Sequence, residues 1–242
     1  MKFHEYTITI VPKTNTIALY GLGDFHADDP GFHRELLKQY VKEISDNPNA
    51  YVILMGDNWN LFRAKIRSKF REEVEALADL DALVTERTEK FAKQELGPLA
   101  GRVIGAMDGN HHFEFSSGES DTQLLCRLLK CKYLGNLAGL RLRIEGASGE
   151  GHAFVLTGIV HHGHWGSGAS TPGGDLNSID SKGRPWDVDF IMCGHTHQKQ
   201  IHISEVLTIP QKGQLYPKAK QKAIIRTGSF LRQYVPDTQE KS

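Results

Sequence analysis

Short apolar runs recur along the chain, and longer segments with helical spacing lie between them. Each run has the length of a buried strand, so the alternation predicts strand–helix–strand units in which helices cover the faces of a sheet. We therefore predict an α/β fold. No Pro/Ser-rich linker and no internal repeat interrupts the 242 residues, which favours a single domain over 1–242. The five runs are TIALYGL, YVILMG, RVIGAM, AFVLTGIV and DFIMCG.

Capping residues and apolar spacing predict three helices. The first is expected to begin at Asp29–Pro30, a capping residue followed by a proline suited to the first turn. A long charged helix is expected over residues 68–96, and a third begins at Ser120–Gln123, which has the spacing of a capping box. Antiparallel strands and hairpins are predicted for LRLRIEG, KQIHISEVL and AIIRTGSF.

Charge and segment composition limit the classes of function. Lys plus Arg and Asp plus Glu each total 29, which argues against a broad nucleic-acid footprint but allows a local basic patch. The first 16 residues lack the apolar core of a signal peptide, and no apolar run approaches the roughly 20 residues that cross a bilayer. We therefore expect a cytoplasmic protein without a membrane partner. The three cysteines have no paired spacing and predict neither a disulfide framework nor a thiolate zinc site.

Residue types that bind metals follow the apolar runs directly. The carboxyl ends of neighbouring parallel strands meet at one edge of a sheet, which is where open α/β folds place their sites. Glycines before several of these residues allow the tight turns that would present them. The motifs are GDFH (Asp24, His26), GDN (Asp57), GNHH (Asn110, His111, His112), HHGH (His161, His162, His164) and GHTH (His195, His197).

Each motif alone has an ordinary structural explanation. Asp-x-His is usually a turn beside a solvated histidine, and GDN is a common end of a strand. The GHTH motif is stronger, because imidazoles two residues apart on an extended segment point to the same side and can reach one ion. An exposed strand face would give the same spacing. Five such motifs in sequence, each at a strand end, favour a shared metal site.

In this order the motifs resemble those of the calcineurin-like metallophosphoesterase superfamily. The resemblance extends from Asp24 to His197 and does not specify a substrate. It implies a four-layer α/β/β/α sandwich of two mixed β-sheets flanked by helices, with a two-metal site along one edge. It also implies hydrolysis of phosphate esters by a metal-activated water. Ligands of this kind suit two divalent ions, with manganese as the first choice and iron, zinc or nickel as alternatives.

The resemblance divides the ligands between two ions, with Asp57 as the bridge. His-Gly is frequent in the family at the fourth motif, which favours His162 as the ligand there, and His161 stays open as the alternative. The first ion would be held by Asp24, His26 and His197, and the second by Asn110, His195 and the histidine of the fourth motif.

His111 matches the catalytic histidine of the family, which binds no metal and donates to the phosphate or to the leaving oxygen. An imidazole suits this role because its ordinary pKa is near neutrality. The family usually has an acidic residue after the GNH triplet, where this chain has His112. That acid often orients the catalytic histidine, so Glu114 or Asp108 would have to replace it.

The Gly-rich stretch over residues 164–186 is expected to form a long loop above the site. In it, Trp165 is a candidate for base stacking and Arg184 for a phosphate contact, with His164 also facing the substrate. Arg63 belongs to a basic run after the bridging aspartate, for which a phosphate contact and a solvated helix face are the two interpretations.

These features favour a phosphodiester, nucleotide or nucleic-acid substrate. The alternatives are a protein or small-molecule phosphomonoesterase and a metal-bound scaffold without turnover. The oligomeric state is not predicted.

Overall fold

A computed structural model describes residues 1–10, 16–60, 77–146, 154–163, 165, 174–208 and 218–232. Ten strands and four α-helices are defined in these ranges. The strands are β1 (Lys2–Ile10), β2 (Ala18–Leu22), β3 (Ala50–Leu54), β4 (Val103–Met107), β5 (Lys132–Gly135), β6 (Leu137–Gly146), β7 (Phe154–His162), β8 (Phe190–Gly194), β9 (Lys199–Thr208) and β10 (Lys218–Thr227). The helices are α1 (Arg34–Asp46), α2 (Leu77–Gln94), α3 (Asp121–Leu129) and α4 (Gly174–Gly183), with a 3-10 turn at Gly97–Leu99.

The strands form two sheets. The six-stranded sheet has the order β1-β6-β7-β8-β10-β9 and is mixed, since β6–β7 and β9–β10 are antiparallel and the other pairs are parallel. The four-stranded sheet has the order β2-β3-β4-β5 and is parallel at every described pair. The family resemblance predicts two mixed sheets. The six-stranded sheet is mixed, as predicted, whereas the four-stranded sheet is parallel at its described pairs.

Buried apolar side chains form three clusters, one between the two sheets and one between each sheet and the helices that cover it. One cluster lies between the two sheets and includes Ile53 and Ile104 from the four-stranded sheet and Leu142 and Met192 from the six-stranded sheet. A second cluster packs α1, α2 and α3 against the outer face of the four-stranded sheet, and a third packs α4 against the six-stranded sheet. Because α-helices and sheets bury their apolar faces against each other, the result is the predicted α/β/β/α sandwich.

Two predicted boundaries are wrong. The first helix begins at Arg34 rather than near Asp29, because the Asp29 carboxylate accepts a hydrogen bond from the Gly31 N–H at 2.7 Å and so closes a turn. His33 caps the helix instead, accepting from the Leu36 N–H at 3.2 Å. Within the expected loop over residues 164–186, α4 forms and buries Ile179 in the third cluster.

The remaining local predictions have mixed outcomes. The capping box of α3 is present, with Ser120 and Gln123 each bonded to the other's backbone. The long second helix is confirmed over α2, and its predicted first part lies outside the described residues. Strands β1 and β5 are additions that the sequence pattern does not predict. No helix in the described ranges combines the length and the apolar character needed to cross a bilayer.

Candidate metal centre

Five strand ends bring the polar motifs to one edge of the sandwich. The segments after β2, β3 and β4 leave the same edge of the parallel sheet, and β7 and β8 end together in the neighbouring sheet. Backbone hydrogen bonds join the loops: the Asp24 N–H donates to the Gly56 carbonyl at 2.8 Å, and the His26 N–H donates to the Asp57 carbonyl at 3.0 Å. The parallel strands thus position side chains that are far apart in sequence.

The backbone at this edge is strained. Asp24, His26, Asp57, His195 and His197 all have left-handed φ angles, between 44° and 74°. Among the described non-glycine residues, Lys130 is the sixth with a positive φ, and it lies at the end of α3. Such conformations cost free energy for residues other than glycine and cluster at functional sites. The fold therefore maintains an unfavourable backbone at five predicted ligands.

The first ligand group consists of Asp24, His26 and His197, whose ligand atoms lie within 4.8 Å of one another. His26 Nε2 and His197 Nε2 face each other at 3.3 Å, and His197 Nε2 is 3.4 Å from Asp24 Oδ1. Asp24 is fully buried, and both of its oxygens also accept from the His195 N–H at 3.0 Å. Two imidazoles and one carboxylate thus converge on one point.

The second ligand group consists of Asp57, His162 and His195, with the same 4.8 Å limit. His162 Nδ1 lies 2.6 Å from the Met55 carbonyl oxygen, which only accepts, so Nδ1 carries the proton. The lone pair of neutral Nε2 then faces Asp57 Oδ2 at 3.1 Å and Asn110 Oδ1 at 3.0 Å. Three acceptors converge, and a cation or a proton is required between them. His162, not His161, is the histidine in this group.

The electrostatics of these groups reflect burial and pairing. Burial alone would raise the pKa of Asp57, but the hydrogen bonds from His162 and from the His111 backbone lower it to about 2. Burial lowers the pKa of His26 and His195. Burial also opposes protonation of His162, but the bond to Asp57 raises its pKa, and the bond to Asp24 raises that of His197. Metal binding would displace protons from these last two imidazoles.

Gly109 permits the close approach of two loops. A Cβ atom at this position would lie 1.8 Å from Asp57 Oδ1, so no side chain fits. The turn places the His111 N–H 2.8 Å from the same oxygen. The GN dipeptide therefore lets the Asn110 loop pass directly over the Asp57 carboxylate.

A cleft of about 470 Å³ opens above the two groups. His111 lines it without belonging to either group, and its ring centre lies 5.3 Å from that of His26. His111 Nδ1 is buried and has no hydrogen-bond partner among the described residues. The full lining is His26, Asp57, Asn60, His111, His195, His197 and Leu231.

No acid bonds the free ring nitrogen of His111, because His111 Nδ1 has no partner among the described residues. Asp108 is occupied elsewhere, because its carboxylate accepts from the Ser120 hydroxyl at 2.9 Å and from the Tyr133 hydroxyl. His112 is half-buried and its Nδ1 lies 2.8 Å from the Gly109 carbonyl, so it fixes the turn rather than the neighbouring imidazole.

The chain after β10 supports the centre in a way that the sequence did not indicate. The Ser229 hydroxyl and the Phe230 N–H both donate to the Asp24 carbonyl, at 3.1 and 3.2 Å, and Leu231 enters the cleft. The buried guanidinium of Arg226 donates from Nε to the Thr196 hydroxyl at 2.9 Å. Thr196 lies between two ligands, so this contact fixes their turn.

The predicted substrate contacts are not brought to the cleft. Trp165 packs against the α4 cluster, with its ring 4.8 Å from that of His161, and Arg184 pairs with Asp180 on α4. Neither residue lines the cleft, because α4 draws this segment onto the outer face of the six-stranded sheet. Arg63 and His164 lie outside the described residues.

No protein-family model and no curated protein matches the chain. Among solved structures, wild-type Vps29 from Entamoeba histolytica complexed with Zn²⁺ is similar over 90% of this chain and 77% of its own, with 14% identity and a TM-score of 0.42. A single mutant of that protein is similar over 92% of this chain and 79% of its own, with 15% identity and a TM-score of 0.41. These values do not assign the chain to a family.

Proposed function

We propose that this chain is a metal-dependent phosphoesterase that acts on phosphodiesters. One observation carries the proposal: Asp57 Oδ2 lies 3.1 Å from His162 Nε2 in the second ligand group and 4.0 Å from His26 Nε2 in the first. A carboxylate in this position can bridge two cations. Paired divalent ions would lower the pKa of a bound water and neutralise the phosphoryl oxygens, which is the chemistry that ester hydrolysis requires.

The residues present fit two divalent cations. Each group offers two imidazoles and one carboxylate, and Asn110 adds a neutral amide oxygen to the second. None of these ligands is a thiolate, which suits manganese, iron, zinc or nickel, with manganese proposed first. The Met55 carbonyl fixes the tautomer of His162, as second-sphere acceptors commonly do for metal-binding histidines.

The chain's own residues would do three further things. His111 faces the cleft and would hydrogen-bond the phosphate or give a proton to the leaving oxygen. Leu231 forms an apolar part of the lining, where it would limit the access of water. The strained turns hold the ligands in place before substrate arrives.

One observation favours a second candidate, a metal-bound scaffold without turnover. A general acid is normally held by a hydrogen bond to its second nitrogen, and His111 Nδ1 has no such partner in the described part of the chain. A scaffold would bind two metals with the same ligands and hydrolyse nothing.

The test is hydrolysis of bis-p-nitrophenyl phosphate and p-nitrophenyl phosphate by metal-stripped protein refilled with manganese. Asp57→Asn and His111→Ala should abolish diester turnover, whereas the matched control His202→Ala should retain it, since His202 is exposed on β9 and lies outside the cleft lining. Turnover of the monoester alone would support the phosphomonoesterase alternative. Protein that binds two metals and turns over neither ester with Mn, Fe, Zn or Ni would support the scaffold.

A further inference from the structure

A second concave site lies beside the metal cleft. This groove, of about 270 Å³, is lined by residues of the loop after β2, of α1, of α2 and of the loop after β3. It is smaller than most complete ligand pockets and suits a single chemical group. Its lining is Ala27, Asp28, Arg34, Trp59, Arg87, Lys90, Phe91, Gln94 and Glu95.

The groove and the cleft are neighbours. Asn60 lines the cleft and Asp28 lines the groove, and the Asn60 N–H donates to Asp28 Oδ1 at 2.6 Å. Ala27 directly follows the ligand His26, and its N–H donates to the Asn58 carbonyl at 2.9 Å. Direct contacts thus join the walls of the two sites, and a substrate that spans these loops would occupy both.

The charge of the groove favours an anion. The lining contains three cations and two carboxylates. Arg34 Nε forms an ion pair with Glu95 at 2.7 Å. The remaining charged residues are the carboxylate of Asp28 and the two cations Arg87 and Lys90, which lie one turn apart on α2. Both of these side chains are exposed and have no ion-pair partner in the ranges that the structure describes. A net positive charge is left for a ligand.

Trp59 provides an independent sign of a ligand. This groove residue is buried, with 5% of its surface exposed, and its indole Nε1 has no hydrogen-bond partner among the described residues. The indole N–H is only a donor, and a buried donor without an acceptor is costly enough to need an explanation. Ring contacts with Phe91, at 5.5 Å, fix the indole in place. The nitrogen is covered by its neighbours, so an acceptor oxygen bound in the groove would satisfy it after a small shift of the side chains over it.

We propose that the groove binds a second phosphate group of the same substrate, from the nucleotide unit next to the one at the metal centre. Phosphate matches both observations, because its oxygens accept from the indole N–H and pair with Arg87 and Lys90. The inference rests on the proposed phosphoesterase function and specifies its substrate as a phosphodiester chain.

The experiment is calorimetric titration of the manganese-loaded chain with thymidine 3′,5′-bisphosphate and with the 3′- and 5′-monophosphates. The bisphosphate should bind about tenfold more tightly than either monophosphate, the equivalent of one charge-assisted contact of about 1.4 kcal/mol. Its advantage should disappear in Arg87→Gln/Lys90→Gln. Trp59→Phe, which removes the donor while keeping an aromatic ring against Phe91, should reduce the advantage about threefold.

The control is Lys93→Gln, an exposed lysine on α2 that does not line the groove, which should keep the full advantage. The inference would be overturned if the bisphosphate binds no better than the monophosphates. It would also be overturned if the advantage survives in Arg87→Gln/Lys90→Gln, or if Lys93→Gln loses it to the same extent. A bisphosphate advantage without ester hydrolysis would overturn the proposed function alone, and hydrolysis without the advantage would overturn the groove alone. Equal melting temperatures among the variants exclude unfolding as the cause.

Discussion

The two ligand groups meet at Asp57, which belongs to the second group and lies 4.0 Å from His26 of the first, but they are fixed to different degrees. His162 is almost fully buried, with 1% of its side chain exposed, and its second nitrogen is bonded to Met55. His197 has 41% of its side chain exposed, although it contacts Asp24 and His26. Each group has two buried ligands, so the comparison teaches that the difference lies in one exposed ligand, His197, through which an ion in the first group should exchange more readily.

Asp57 is the proposed bridge between the two groups, so its loss should have the largest effect. We expect Asp57→Asn to remove at least one metal per chain and to reduce diester turnover about a thousandfold or more, since the paired ions supply several kcal/mol. Metal content and kcat/KM measure this. Asp24→Asn should weaken mainly the first group, since it changes a direct ligand there but only a backbone contact of His195 in the second. An Asp57→Asn protein that keeps two metals would contradict the bridge.

The rates at which the two groups release their metal ions would test the difference in exposure. When a chelator is added to the loaded protein, we expect two phases, with the faster phase from the exposed first group. His197→Ala should remove the fast phase and His162→Ala the slow one, each change weakening its own position about a hundredfold through the loss of a direct ligand. Stopped-flow detection of free manganese gives the rates. A single phase in the unaltered chain would mean that the groups are equally held.

A buried acid beneath the second group adds a pH-dependent effect. Asp121 accepts from the Phe113 N–H at 2.8 Å, in the loop that follows Asn110, and burial raises its pKa from 3.8 to about 6. Because the folded pKa lies above the unfolded one, its contribution is present below about pH 4 and lost as the pH rises through 6. Relative to Asp121→Asn, the unaltered chain should lose roughly 3 kcal/mol of unfolding free energy between pH 4 and 7.5.

Urea unfolding in the presence of EDTA at both pH values measures this difference. The amide introduced by Asp121→Asn can be accommodated, because Asn58 Oδ1 is buried without a partner among the described residues and a rotated Asn58 amide would accept from it. A difference between the two proteins that does not change with pH would contradict the raised pKa.

The smallest effect concerns the turn of the first group. Thr196→Val and Arg226→Met each remove the 2.9 Å contact that fixes this turn, and each should weaken metal binding at the first group about tenfold. The double variant should lose little more than Arg226→Met alone, because that change removes the Thr196 contact together with the 3.3 Å bond to Gln200. Thr157→Val removes a hydroxyl contact to Asp189 elsewhere in the same sheet and should leave affinity unchanged. If the losses of metal affinity in the two single variants add up in the double variant, Arg226 does not act through its contact with Thr196.

The sequence predicts the metal-binding motifs at the strand ends better than the residues that support those motifs from other parts of the chain. The ligand motifs follow buried runs of unambiguous length, and parallel strands place such ends together, so the pattern predicts a shared metal site. The division of the ligands into two groups, and the preference for His162, rest on the family resemblance. The support by Arg226 and Phe230 is not predicted, because it depends on tertiary contacts between distant segments. No local pattern encodes those.

Two local errors have local causes. The sequence pattern makes Asp29 a helix cap, but an aspartate also closes turns with its own backbone, and this competing bond is the one formed. The Gly-rich stretch conceals α4, although Leu176 and Ile179 have helical spacing and pack together on the sheet. The placement of Trp165 follows from that helix.

The left-handed backbone at five ligands has a consequence for how this protein can diverge. Glycine tolerates these angles without cost, so replacing a ligand by glycine would relieve strain while removing a metal-binding group. A lineage freed from metal binding would be drawn toward such replacements by stability alone. This chain retains charged or imidazole side chains at all five positions, which is the pattern expected where ligand chemistry still outweighs the gain in stability.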